Sequence, residues 1–86
     1  MSAEELLLQT VDPETSDTHR LRLRERLVEM HSGMVRETAR RYAYSGEPLE
    51  DLLQAAYVGL MKAINGFDAS LGHDFRGYAA VTMLGG

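Results

Sequence analysis

The stretch Asp51-Leu-Leu-Gln-Ala-Ala-Tyr-Val-Gly-Leu-Met-Lys-Ala-Ile-Asn-Gly-Phe67, DLLQAAYVGLMKAINGF, decides how this chain folds. With about 100° of turn per residue, Leu52, Leu53, Ala56, Leu60, Ala63, Ile64 and Phe67 fall within one arc, roughly 100° to 220° from Asp51. That arc is the core stripe of an amphipathic helix. Asp51, Gln54, Ala55, Val58, Met61, Lys62 and Asn65 share the opposite side, and Tyr57 lies on the border. A purely solvated helix would carry charge there, whereas this face mixes an acid and an amide with Val58 and Met61. Methionine adapts to irregular partners, and a nearby acid and amide set orientation through hydrogen bonds, so the composition suits a binding face. Spacing alone does not separate it from an ordinary amphipathic surface.

Working upstream, Pro48 suits the first helical turn, and Glu47, Glu50 and Asp51 complement the positive helix start. Ser45-Gly46 ends a preceding helix over 34–44, whose apolar side carries Val35, Ala39, Tyr42 and Ala43. His31-Ser32-Gly33 separates it from a helix over 19–30, where Leu23, Leu27 and Met30 recur at helical spacing and Leu21 and Val28 widen the stripe. Asp17 or Thr18 is the expected cap of that helix. Ala3 to Gln9 forms a short helix, and TVDPETSDT reads as a linker. Downstream, Asp68 to Gly72 is a turn, and His73 or Asp74 caps a last helix, FRGYAAVTML. No alternating strand pattern, repeat or low-complexity tract interrupts this. The fold class is all-α, a small bundle of about four to five helices without a sheet. Residues 1–18 form an acidic N-terminal helix and linker, and 19–86 the helical domain.

Composition narrows the function. At 86 residues the chain is one small domain, and its 44% hydrophobic and 26% charged content is that of a chain that folds. The absence of cysteine removes a disulfide framework and a thiolate zinc site, and fits a reducing, cytoplasmic setting. No apolar run approaches the roughly 20 residues of a membrane span, and the acidic start is unlike a secretory signal. The net charge of −4 argues against holding nucleic acid by bulk electrostatics. It also hides an asymmetry. The five charges before Arg20 are all acidic, whereas Arg20 to Arg41 holds seven arginines, which read as a solvated helix face. His19, His31 and His73 stand singly, so solvated or capping roles are expected and no metal is predicted. There is no nucleophile constellation and no phosphate loop, so neither an enzyme nor a cofactor is expected.

The run GEPLEDLLQAAYVGLMKAINGFDASLGHDFRGYAA, residues 46–80, resembles region 2 of the sigma-70 family of bacterial RNA polymerase sigma factors. The family pattern is met by Asp51-Leu52, Gln54, Gly59-Leu60, Ala63, Phe67-Asp68, Gly72, Phe75 and Tyr78-Ala79. Upstream, RLVEMHSGMVRETARRY resembles the preceding family segment, and GEPLEDL is most similar to alternative sigma factors of actinobacterial stress and developmental responses. The resemblance covers about residues 20–84. It implies a helical transcription-initiation module that docks on the clamp helices of the polymerase β′ subunit. The implied contacts are Asp51, Gln54, Tyr57 and Met61, with Val58 on the same face; Tyr57 stands where housekeeping members carry Asn.

The last helix is similar to the start of the family's promoter-opening segment, in which exposed aromatics stack on an unpaired base. Phe75 and Tyr78 match family aromatics, although an aromatic on an amphipathic helix is by spacing alone more often core than stacking platform; Val81 and Thr82 replace a tryptophan pair, and Arg76 lies among them. The family continues with a basic helix that reads the minus-ten element, while this sequence ends at Met83-Leu84-Gly85-Gly86, with Gly86 where Glu usually stands. Promoter DNA is therefore expected to be engaged only as part of the holoenzyme or a longer chain. The family resemblance also implies an anti-sigma factor as a partner, and an alternative role as a truncated sigma-like regulator bound to one.

Overall fold

Helix α1, Ala3–Val11, opens with a reciprocal cap in which the Ser2 hydroxyl accepts the Glu5 N–H and Glu5 accepts the Ser2 N–H. The computed structural model describes residues 1–85. It continues with α2 (Asp17–Met30), α3 (Ser32–Arg41), a 3₁₀ turn at Ala43–Ser45, α4 (Leu49–Gly66), a second 3₁₀ turn at Ala69–Leu71, and α5 (Phe75–Gly85). Among the described residues there is no strand, so the all-α expectation holds. No helix among them is long and apolar enough to cross a membrane. The expectation about Gly86 lies outside the described residues.

The core forms where α3 and α5 pack on α4 and where α1 and α2 close its other end. Its fully buried members include Leu27 of α2, Val35 of α3, Leu60 and Ala63 of α4, and Phe75 and Ala79 of α5. The α4 stripe is the one that the spacing predicts, with Leu53 only half-buried. Gly59 adds to it for a reason that no hydrophobicity scale contains. A Cβ there would lie 2.9 Å from the Cα of Met83, so the glycine lets α5 cross α4 at backbone contact. Four rings then close the end of the bundle in a chain. Phe75 meets His31 and Phe67 edge-on at centroid distances of 5.0 and 5.3 Å, and Phe67 meets Tyr78 at 5.3 Å.

Turn chemistry positions these helices. Gly46 and Gly72 take positive φ of 81° and 74° after the two 3₁₀ turns, where a side chain would be strained. Asp68 caps the second turn through the Ser70 N–H. Asp74 caps α5, its Oδ2 accepting the Gly77 N–H at 2.9 Å, as expected.

Several local expectations are corrected. Ser16 caps α2 through the His19 N–H, because α2 begins at Asp17, one turn before the apolar stripe starts. Pro48 is the residue before α4 and not its first turn. The break between α2 and α3 is His31 alone, since Ser32 and Gly33 already belong to α3. Of the two roles expected for His31, solvated or capping, it takes the capping one, at the C-terminal end of α2 and inside the core. It is buried, and its Nδ1 lies 2.7 Å from the Leu27 carbonyl, to which it donates. On α3 the buried side is Met34, Val35, Thr38 and Ala39; Tyr42 is half-buried and Ala43 exposed, because the helix tightens after Arg41 and the stripe loses its period. Leu21 is exposed and Val28 half-buried, so α2 buries a narrower stripe than expected.

Candidate functional site

Helix α4 presents its outer face unobstructed. Asp51, Gln54, Tyr57 and Val58 are exposed, and Met61 is half-buried. Among the described residues, no side-chain hydrogen bond or ion pair engages Asp51 or Gln54. Their carboxylate and amide are therefore available to an external donor or acceptor. Val58 is 54% exposed and Tyr57 39%, which leaves apolar area beside the two polar groups. A face with an apolar centre and unengaged polar groups at its edge has the anatomy of an interface. The core stripe on the other side of α4 holds it rigidly, so its side chains are displayed in a fixed order along the helix.

Met61 marks where this face meets α2. It lines a shallow groove with Leu21, Val28, Arg24, Glu25 and Glu29. One turn earlier along the same edge, Tyr57 lines a second groove with Leu49 and Leu53 of α4 and Arg36 and Arg40 of α3. Leu21 and Leu49 are more than half exposed and border the predicted positions, yet sequence reasoning assigned Leu21 to the core. Only the lean of α2 against α4 distinguishes a leucine at the rim from one beneath it. The sole ion pair among the described residues is Arg20–Asp17 at 3.0 Å, so most of the arginine run is solvated, as expected.

The residues proposed for DNA on α5 do not form one surface. Phe75 is 0% exposed, wedged between His31 and Phe67, and offers no free ring face to a base. For Phe75 the stacking role implied by the resemblance is thereby corrected, and the core role favoured by spacing holds. Tyr78 is partly exposed, but its ring leans on Phe67 and its hydroxyl lies 3.0 Å from where a Cβ on Gly66 would be. Thr82 is half-buried and its hydroxyl donates to the Tyr78 carbonyl at 2.9 Å. Val81 is open to solvent, and so is Arg76, which shares a polar cleft with Glu37, Arg41 and Asp74. Among the described residues no cluster of His, Asp or Glu is placed to hold a metal ion.

The geometry thus defines a small helical bundle in which one face of α4 is core and the other is left largely exposed. The family model described as Sigma-70 region 2 matches residues 27–85, and the chain belongs to the sigma-70 family through that region. It is 39% identical over 64 residues to the RNA polymerase sigma factor SigF of Mycobacterium tuberculosis, a match that covers 74% of this chain and 24% of that protein. It is similar also to the RNA polymerase sigma-B factor of Bacillus anthracis, 38% identical over 61 residues, 71% of this chain and 24% of that one. With the principal sigma factor HrdD of Streptomyces griseus the identity is 46% over 46 residues, covering 54% and 14%. The match to SigF and the sigma-B factor spans 24% of their length. No solved structure matches the chain.

Proposed function

We propose that this chain is the core-polymerase-binding module of an alternative sigma factor, and that it docks through the outer face of α4 onto the clamp helices of the β′ subunit. The observation that supports this most directly is the exposed, unengaged set Asp51, Gln54, Tyr57 and Val58, continued by Met61, on a helix whose other side is core. In this reading Val58 and Met61 supply apolar contact, Asp51 and Gln54 set register, and Tyr57 packs at the rim. The family membership of the chain supports a role in transcription initiation. For α5, the resemblance to the promoter-opening segment supports the exposed Arg76, Tyr78 and Val81 and the half-buried Thr82 as candidates for promoter DNA, engaged within the holoenzyme, and the full burial of Phe75 removes it from the set.

Retention of the chain on immobilised β′ clamp helices tests the proposal. Asp51→Lys combined with Gln54→Ala is expected to lower affinity by at least about tenfold, the equivalent of roughly 1.4 kcal/mol. Retention unchanged in a variant that keeps its helical circular dichroism would rule the face out.

A further inference from the structure

The N-terminal segment lies before the part of the chain that matches the family model, yet it is built tightly into the structure. Leu6, Leu7 and Thr10 of α1 are buried. Helix α1 packs on the Ala69–Leu71 turn, and Leu7, Leu8 and Val11 line a groove with Phe67, Asp68, Ala69 and Ser70, so α1 lies along the connector between α4 and α5. Two polar devices hold it there. At the hinge to α2, the Arg20 guanidinium donates to the carbonyls of Thr10 at 2.6 Å, Asp12 at 3.2 Å and Thr15 at 3.0 Å, while pairing with Asp17. The Thr15 hydroxyl adds a bond to the Gln9 carbonyl at 2.7 Å. At the other end of α1, Glu4 Oε2 accepts the backbone N–H of Phe75 at 2.8 Å, a contact between residues 71 apart in sequence.

Phe75 is the first residue of α5, and its N–H is one of the donors that a helix start leaves without an intrahelical partner. Asp74 accepts the Gly77 N–H, which leaves the Phe75 N–H to a partner from elsewhere. A carboxylate in that place both satisfies the donor and complements the positive end of the helix. We infer that α1 is a strap: Arg20 latches its hinge, and Glu4 acts as a positioning residue that caps α5 from a distance. The N-terminal segment thereby sets the order of the helix that carries Arg76, Tyr78, Val81 and Thr82. A partner that drew α1 away would loosen the start of α5 without touching the outer face of α4. This inference does not depend on the docking reading of α4.

Amide hydrogen exchange on the whole chain tests it. Glu4→Ala is expected to speed exchange at Phe75 to Tyr78 about fivefold, the effect of losing one helix cap, with Leu52 to Ile64 unchanged. Glu4→Gln, which keeps an oxygen acceptor, restores most of that protection. Arg20→Ala speeds exchange both in α1 and at Phe75 to Tyr78. The inference is overturned if Glu4→Ala leaves Phe75 to Tyr78 at the wild-type rate, or if it accelerates α4 equally, which would mean general destabilisation. It is overturned also if Glu4→Gln behaves as Glu4→Ala, or if Arg20→Ala frees α1 and leaves Phe75 to Tyr78 protected. Retention of Glu4→Ala on the clamp helices serves as a separate readout. Equal retention of the variant and the wild type is expected, and loss by the variant alone would contradict a strap that acts only on α5. Absence of retention by the wild type itself would count against the α4 reading and leave the exchange results to decide the strap.

Discussion

On α4 the candidate side chains stand clear of the rest of the chain, whereas on α5 most of them are engaged by it. Both helices match the family pattern at regular spacings, and both bury one side against the other across Gly59 and Met83. The difference lies in what remains outside. Among the described residues, Asp51 and Gln54 on the outer face of α4 make no side-chain hydrogen bond, while the ring of Phe75 and the hydroxyl of Thr82 are committed within the fold. A motif residue is thus no guide to contact by itself. Of the matched positions, Leu52, Gly59, Leu60, Ala63, Phe67, Phe75 and Ala79 are buried and build the core, whereas the side chains of Asp51 and Gln54 are exposed and take no part in it.

The sharpest way to break the comparison is at Phe75. Phe75→Ala removes the ring that joins His31 to Phe67, and is expected to lower stability by about 3–5 kcal/mol in chemical denaturation. For a domain this small, whose total is on the order of 5–10 kcal/mol, that leaves a marginal fold. A loss within about 0.5 kcal/mol would instead mark the ring as a surface feature. Gly59→Ala comes next. The added methyl forces α5 away from α4 at the Met83 backbone, and about 1–3 kcal/mol is expected from overpacking.

Gly72→Ala tests the turn that delivers α5 and not the packing of α5. At φ of 74° a methyl group is strained, and a loss of about 1–2 kcal/mol is expected by the same measurement. Asp51→Lys with Gln54→Ala sits at the other extreme, expected to stay within about 0.5 kcal/mol of wild type in stability while losing retention on the clamp helices. A large destabilisation there would mean that the outer face of α4 is structural after all.

The smallest effect concerns acid. The Ser2 N–H bound to Glu5, and the Ser70 hydroxyl and N–H bound to Asp68, hold these two carboxyls below the ordinary carboxylate range. Because the folded-state values are depressed, the stabilisation is present above the unfolded-state pKa, roughly 4 for a carboxyl, and is lost as pH falls through the folded values. Both groups are exposed, so the change in melting temperature below about pH 4 is expected to be slight. Glu5→Gln and Asp68→Asn each remove part of that pH dependence; a variant with an unaltered slope would contradict the assignment for its residue.

Helical periodicity was enough to place five helices, the buried stripe of α4 and the exposed position of Asp51, Gln54 and Val58. That information is local, since a repeat near 3.6 residues says that a helix has two sides and which one is apolar. It does not say what covers the apolar side or how far that cover reaches. Leu21 carries the same local signal as Leu23, yet only one of them lies beneath a neighbouring helix. His31 reads as a polar break, and the packing of Phe75 against it makes it part of the core. The Glu4 carboxylate reaches the Phe75 N–H across the whole chain, and nothing near either residue announces the other. The amino-acid sequence by itself determined the helices and the face that α4 turns outward, because both follow from spacing within one segment. Only the tertiary structure decided which aromatics are committed to the core and that Glu4 joins Asp74 at the start of α5, because those outcomes depend on contacts between segments distant in sequence.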